Sequence, residues 1–187
     1  MIATRMLQVL LWLAYPALIF CGLQLLEPRD LALLLAMLLL LRRRQLASRL
    51  LTDLSRTDFM ILVAMLMLSG LTAATNSEQL LRLYPVAVNL GMLLLFGLSL
   101  RHPPSMIERF ARLGQADLPP TAVRYTRRVT QVWCAFFVCN GLLATYTAVW
   151  TSRDIWALYN GLIAYLLMGT LFAGEWLLRR RLLAANG

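Results

Sequence analysis

The sequence predicts an all-α protein, a polytopic transmembrane helix bundle of six spans with both termini cytoplasmic. Two observations predict it. Of 187 residues 60% are hydrophobic and 14% charged, and the mean hydropathy is +0.67. A soluble domain has about 45–50% apolar and about 25% charged residues. Here the apolar excess is gathered in blocks, as a bilayer-spanning chain requires. The second observation is the placement of charge. Apart from His102 every basic residue is arginine, the net charge is +9, and the arginines flank the apolar blocks. They form no stripe interleaved with stacking aromatics, which argues against nucleic-acid binding.

The chain divides into spans at about 6–26, 28–44, 59–74, 83–100, 129–150 and 155–178, within one integral membrane domain, 1–187. The first carries Pro16, a candidate kink, and shows no small-x-small cleavage site. The second is the weakest. Its apolar part, Leu31–Leu41, rises only about 16 Å against a hydrocarbon core of about 30 Å. It crosses only if the helix starts at Pro28, a favoured first-turn proline, and if Arg42, Arg43 and Arg44 snorkel to the headgroups. Should it not cross, or should the first segment lie in the interface, five spans result and the N-terminus moves outside. Tyr84-Pro85 marks a bend at the start of the fourth span.

Loop charge sets the orientation independently. With the N-terminus inside, all but three of the 18 arginines fall on the cytoplasmic side, and only Arg29, Arg82 and Arg153 lie outside. The outside loops EPRD, TNSEQ and TSRD are short.

One cytoplasmic stretch, 105–113, has its own pattern. Ser105 and Glu108 have capping-box spacing, and Gly114 is a natural stop. Met106, Ile107, Phe110 and Leu113 fall on one face, and Glu108, Arg109 and Arg112 on the other. The pattern predicts a short amphipathic helix, either lying on the inner membrane face or packed on the ends of the bundle. With Arg101, Arg124, Arg127 and Arg128, its Arg109 and Arg112 make a candidate cytoplasmic surface for anionic lipid headgroups or protein partners.

Catalysis inside a bilayer needs buried ionisable groups or a metal. Cys21, Cys134 and Cys139 lie in apolar runs with no C-x-x-C spacing, and read as free thiols. His102 is the only histidine and has no acidic cluster beside it, so neither a metal site nor a cofactor is expected. No catalytic constellation is evident. Glu175 is the one acid well inside a predicted span, and Arg179 one turn later offers it an i,i+4 partner.

Polar residues in the last three spans are more numerous. Asn89, Asn140, Thr145, Asn160, Tyr165 and Glu175 form a candidate polar seam. Gly141, Gly161, Ala164, Gly169 and Ala173 accompany them, the composition of close helix–helix contact. Packing is the favoured reading over a polar pocket, and a homo-oligomer is compatible with the small-residue spacing. Asn140-Gly141 and Asn160-Gly161 are β-turn signals in soluble chains. Inside a bilayer a hairpin there leaves backbone groups unsatisfied, so both pairs are expected within helices. With the outer turn between Ser152 and Arg153, Asn140 comes level with Tyr165, and Asn160 with Thr145.

The run HPPSMIERF…LPPTAVRYTRRVTQVWCAFFVCNGLLATYTAVW…IWALYNGL resembles the bacterial intracellular septation protein A family. The positions that carry the likeness are Pro104, Ile107, Arg109, Leu118, Pro119, Trp133, Phe136, Phe137, Gly141, Tyr146, Ala148 and Trp156. They span Arg101–Gly161; before that only the hydropathy profile matches. That family tends to carry lysine where this chain has Asn160 and asparagine where it has Ala144. The whole chain, above all PPSMIERFARL and YNGLIAYLLMG, is also similar to uncharacterised small membrane proteins of aryl-polyene and xanthomonadin-type pigment gene clusters in Gram-negative bacteria. These resemblances imply a non-catalytic inner-membrane protein that serves as scaffold or accessory factor. The implied partners are envelope-machinery proteins or cytoplasmic biosynthetic enzymes. A carrier or flippase-like component for a lipid-linked or polyene product is the alternative.

Overall fold

The computed structural model describes residues 27–50, 56–115 and 117–185, and the first expected span, 6–26, lies outside them. Every element among the described residues is a helix, with no strand. Helix α1 is Pro28–Leu50 and α2 is Arg56–Thr75. A short α3, Glu78–Arg82, leads into α4, Tyr84–Arg101. Helix α5, Met106–Arg112, precedes the long α6, Pro120–Trp150. The last segment is α7, Arg153–Leu158, then a π-helical turn, Tyr159–Ile163, then α8, Ala164–Ala185.

Local chemistry sets these boundaries. Pro28, Pro85 and Pro120 sit in first turns, where the missing N–H has no helical partner to lose. Helix α2 ends at Asn76, whose φ of 49° is the left-handed conformation that asparagine tolerates. Its side chain also ties two elements together. Oδ1 accepts the Arg29 N–H at 3.0 Å, and Nδ2 donates to Glu27 Oε2 at 3.2 Å. Ser77 and Ser152 cap α3 and α7 by accepting the N–H groups of Leu80 and Ile155.

Three stretches, Glu78–Arg101, Pro120–Trp150 and Arg153–Arg180, are long and apolar enough to cross a membrane, and Phe59–Thr75 is a shorter apolar helix. Many large apolar side chains stand on the outside, and several polar ones lie inside. Met67 is 71% exposed and Leu142 67%, while Thr72 and Thr130 are fully buried. Such a surface suits lipid, which removes the hydrophobic drive for helix association and leaves packing and hydrogen bonds to supply it.

The most extensive packing joins α4 to α6. At the arginine-rich end Phe96, Trp133 and Phe137 form an aromatic core, with Phe96 and Phe137 edge to face at 5.2 Å. Such ring pairs contribute about 0.5–1.5 kcal/mol each. At the hairpin end Leu31, Leu81, Ala148, Trp156 and Ala157 form a second cluster. The Trp156 indole N–H donates to the Arg82 carbonyl at 3.0 Å. Gly91 lets α2 approach α4, since a Cβ there would stand 2.9 Å from Ile61.

Helix α5 forms where the pattern predicts, and Met106 and Ile107 pack inward against the aromatic core while Arg109 and Arg112 are exposed, but the rest of the pattern does not hold. Glu108, expected on the polar outer face, is buried; Phe110 is outward and Leu113 is 85% exposed. The cause lies at its N-terminus. Met106 N–H donates to Ser99 Oγ of α4 at 2.9 Å, and Ile107 N–H to Thr130 Oγ1 of α6 at 3.3 Å. These bonds turn the first turn of α5 into the bundle. Glu108 then accepts the Ser105 N–H at 3.3 Å and pairs with Arg112 at 2.7 Å. In a helix of seven residues, end contacts outweigh periodicity.

Candidate functional site

The polar seam is real for some of its expected members and not for others. Three residues form a chain across three elements. Asn89 of α4 donates through Nδ2 to the Pro85 carbonyl at 2.8 Å. Asn140 of α6 donates through Nδ2 to Asn89 Oδ1 at 3.0 Å. The Tyr159 hydroxyl, in the π turn, donates to Asn140 Oδ1 at 2.8 Å. Gly141 makes the first contact close, because a Cβ built on it would lie 3.3 Å from the Asn89 Cβ. Both Asn-Gly pairs are thus helical, one in α6 and one in the π turn.

Asn160 belongs to a separate pairing, whose partner on α6 lies about two turns nearer the hairpin than Asn140. Its Nδ2 donates to Thr147 Oγ1 at 3.1 Å and to the Trp156 carbonyl at 2.9 Å. Thr145, the expected neighbour of Asn160, instead bonds the Gly141 carbonyl of its own helix at 2.8 Å. Tyr165 is exposed. Tyr159 takes the place expected for it. A π turn inserts a residue into the helical repeat and rotates the succeeding residues by about 100°. The Ala164 N–H reaches back five residues to the Tyr159 carbonyl. Register counted on an uninterrupted α-helix misses that rotation.

Glu175 stands apart from this network. It lies beside Tyr125 near the arginine-rich end, and the Tyr125 hydroxyl donates to its Oε1 at 3.4 Å. Among the described residues no ion pair joins Glu175 to Arg179, so the expected partner is replaced by a phenol. Asn140 and Tyr125 are 15 positions apart on α6, about 22 Å along its axis. Between them Trp133 meets Phe172 at 4.5 Å.

A cleft of about 390 Å³ opens between α6 and α8 on the hairpin side of that aromatic contact. Phe136, Cys139, Asn140, Leu143, Tyr159, Leu167, Thr170 and Leu171 line it. Its wall is apolar save for the Asn140–Tyr159 pair, the Thr170 hydroxyl, which bonds the Leu167 carbonyl at 2.8 Å, and the Cys139 thiol. Among the described residues nothing uses the expected notch at Gly169 and Ala173: both are exposed, and no described atom lies within 4 Å of a Cβ built on Gly169.

The arginine surface also divides. Arg112 is bound to Glu108, Arg109 donates to the Pro104 carbonyl at 2.9 Å, and Arg127 donates to the Leu100 carbonyl at 3.0 Å. The last closes the C-terminal end of α4, where cations are favoured. Arg101, Arg124 and Arg128 are exposed and make no hydrogen bond or ion pair among the described residues. Helix α6 has 31 residues, about 46 Å, and so exceeds a hydrocarbon core of about 30 Å. Its arginine-bearing first turns therefore project beyond any hydrocarbon layer that the rest of it crosses. No protein-family model matches the chain, and neither a curated protein nor a solved structure matches it.

Proposed function

We propose that the chain is a non-catalytic six-span protein of the bacterial inner membrane, with both termini cytoplasmic, acting as scaffold or accessory factor. Its pathway is envelope assembly or aryl-polyene-type lipid and pigment synthesis, which the two sequence resemblances support. One observation carries the docking role. Arg101, Arg124 and Arg128 stand exposed at one end without acidic partners among the described residues, while Glu108, the acid buried at that end, is already neutralised by Arg112. A surface of uncommitted guanidinium groups favours acidic protein faces and anionic headgroups. Replacing Arg101, Arg124 and Arg128 by alanine should abolish co-purification with cytoplasmic partners while membrane insertion is kept. Unchanged recovery of those partners contradicts the proposal. Arg109, Arg112 and Arg127 are left in place because each braces the fold.

A second reading, a carrier for a lipid-linked or polyene product, is favoured by the cleft between α6 and α8. Asn140→Leu combined with Asn160→Leu separates the two. A carrier predicts a stable protein that fails to move its product. A scaffold predicts a functional protein or a simple loss of stability.

A further inference from the structure

We propose that the cleft between α6 and α8 binds an elongated apolar molecule carrying one carbonyl or hydroxyl oxygen, held by Asn140 and Tyr159. This gives the second reading a ligand chemistry. It rests on α6 and α8 lying across the bilayer and not on the arginine surface.

The cleft has the size of a small-molecule site, about 390 Å³ against a usual range of about 300–1,000 Å³. Asn140 lies ten positions from Trp150, the end of α6, a rise of about 15 Å. That is half of a hydrocarbon core of about 30 Å, so the pair sits near the bilayer midplane. Hydrogen-bonding capacity is left over there. A primary amide has two N–H donors. Asn140 spends one on Asn89, and the other has no partner among the described residues. The Tyr159 hydroxyl gives its proton to Asn140 Oδ1, which leaves its oxygen lone pairs to accept. Asn140 is only 6% exposed, yet both residues line the cleft.

A saturated acyl chain fills such a space but offers nothing to an amide N–H, and an unmade bond at that depth is costly. Ester carbonyls of bilayer lipids lie near the interface, half a core thickness away. An oxygen carried to mid-depth on an apolar body meets both needs. A carbonyl accepts from Asn140; a hydroxyl also donates to Tyr159.

The test uses the full-length protein in nanodiscs of saturated phosphatidylcholine and a decyl-substituted benzophenone as photoprobe. Labelling should fall on the segments of α6 and α8 that flank the cleft. A long-chain dialkyl ketone should compete, and the alkane of equal length should not. Asn140→Leu should weaken labelling about tenfold, the loss of one hydrogen bond in an apolar site. Leu143→Trp fills the cleft from an exposed position and leaves every bond of the seam in place; it should abolish labelling. Equal competition by ketone and alkane means acyl-chain filling only and overturns the proposal. So does labelling that persists in Leu143→Trp. A protein that labels normally but loses its partners on arginine replacement separates this site from the docking surface.

Discussion

Helix α6 meets α4 on one side and α8 on the other, and the two interfaces are built on different terms. Toward α4 it presents Gly141 to the Asn89 Cβ, a side-chain amide bond, and the Phe96–Phe137 edge contact. Toward α8 it presents an aromatic contact at one level, a cleft at the next, and a single long phenol–carboxylate bond beyond. Both of its partners carry small residues, Gly91 and Gly97 in α4 and Gly169 and Gly174 in α8. What separates them is whether a small residue coincides in depth with a polar pair. Gly141 stands beside Asn140; Gly169 has no such neighbour and faces outward. Small residues license a close approach, and directional bonds decide where it happens.

The largest effect should come from wedging the tight interface. Gly141→Leu forces a side chain against Asn89 and is expected to destabilise by about 1–3 kcal/mol, the usual cost of overpacking. Gly169→Leu, on open surface, should change stability by less than about 0.5 kcal/mol. Unfolding in mixed micelles measures both, and similar losses would erase the contrast. Next comes Asn140→Leu, which leaves Asn89 Oδ1 without its donor and Tyr159 without its acceptor. A loss of about 1–2 kcal/mol is expected. A double-mutant cycle with Tyr159→Phe should give a coupling of about 0.5 kcal/mol or more, since the two residues share one bond. Tyr125→Phe is expected to do least. Its 3.4 Å bond is near the limit of useful geometry, so the loss should stay under about 0.5 kcal/mol.

Much of the helical plan is legible in the residues themselves. Pro28 starts α1, Pro85 sits in the first turn of α4, and Ser105 and Glu108 flank the start of α5, because these signals act within one turn. The participation of Asn89 and Asn140 is legible too, since an amide in an apolar run needs a partner. Three features were hidden because they depend on tertiary contact. The face of α5 follows Ser99 and Thr130, which are distant in sequence. The facing of Tyr165 follows a π turn that leaves no periodic mark over Tyr159–Ile163. The division of the arginines follows which carbonyl ends lie within reach, as Arg127 and Leu100 illustrate.

Around Asn140, α6 is closed against α4 and splayed from α8. Engineered disulfides read this difference, because a bridge needs Cβ atoms about 3.5–4.5 Å apart. In a background otherwise free of cysteine, one protein carries Asn89→Cys with Gly141→Cys, and another keeps Cys139 and adds Leu167→Cys. The first pair, with Cβ positions 3.3 Å apart, should cross-link almost completely under mild oxidation. The second, facing across the cleft, should cross-link little. Equal and rapid bridging of both pairs would contradict the account.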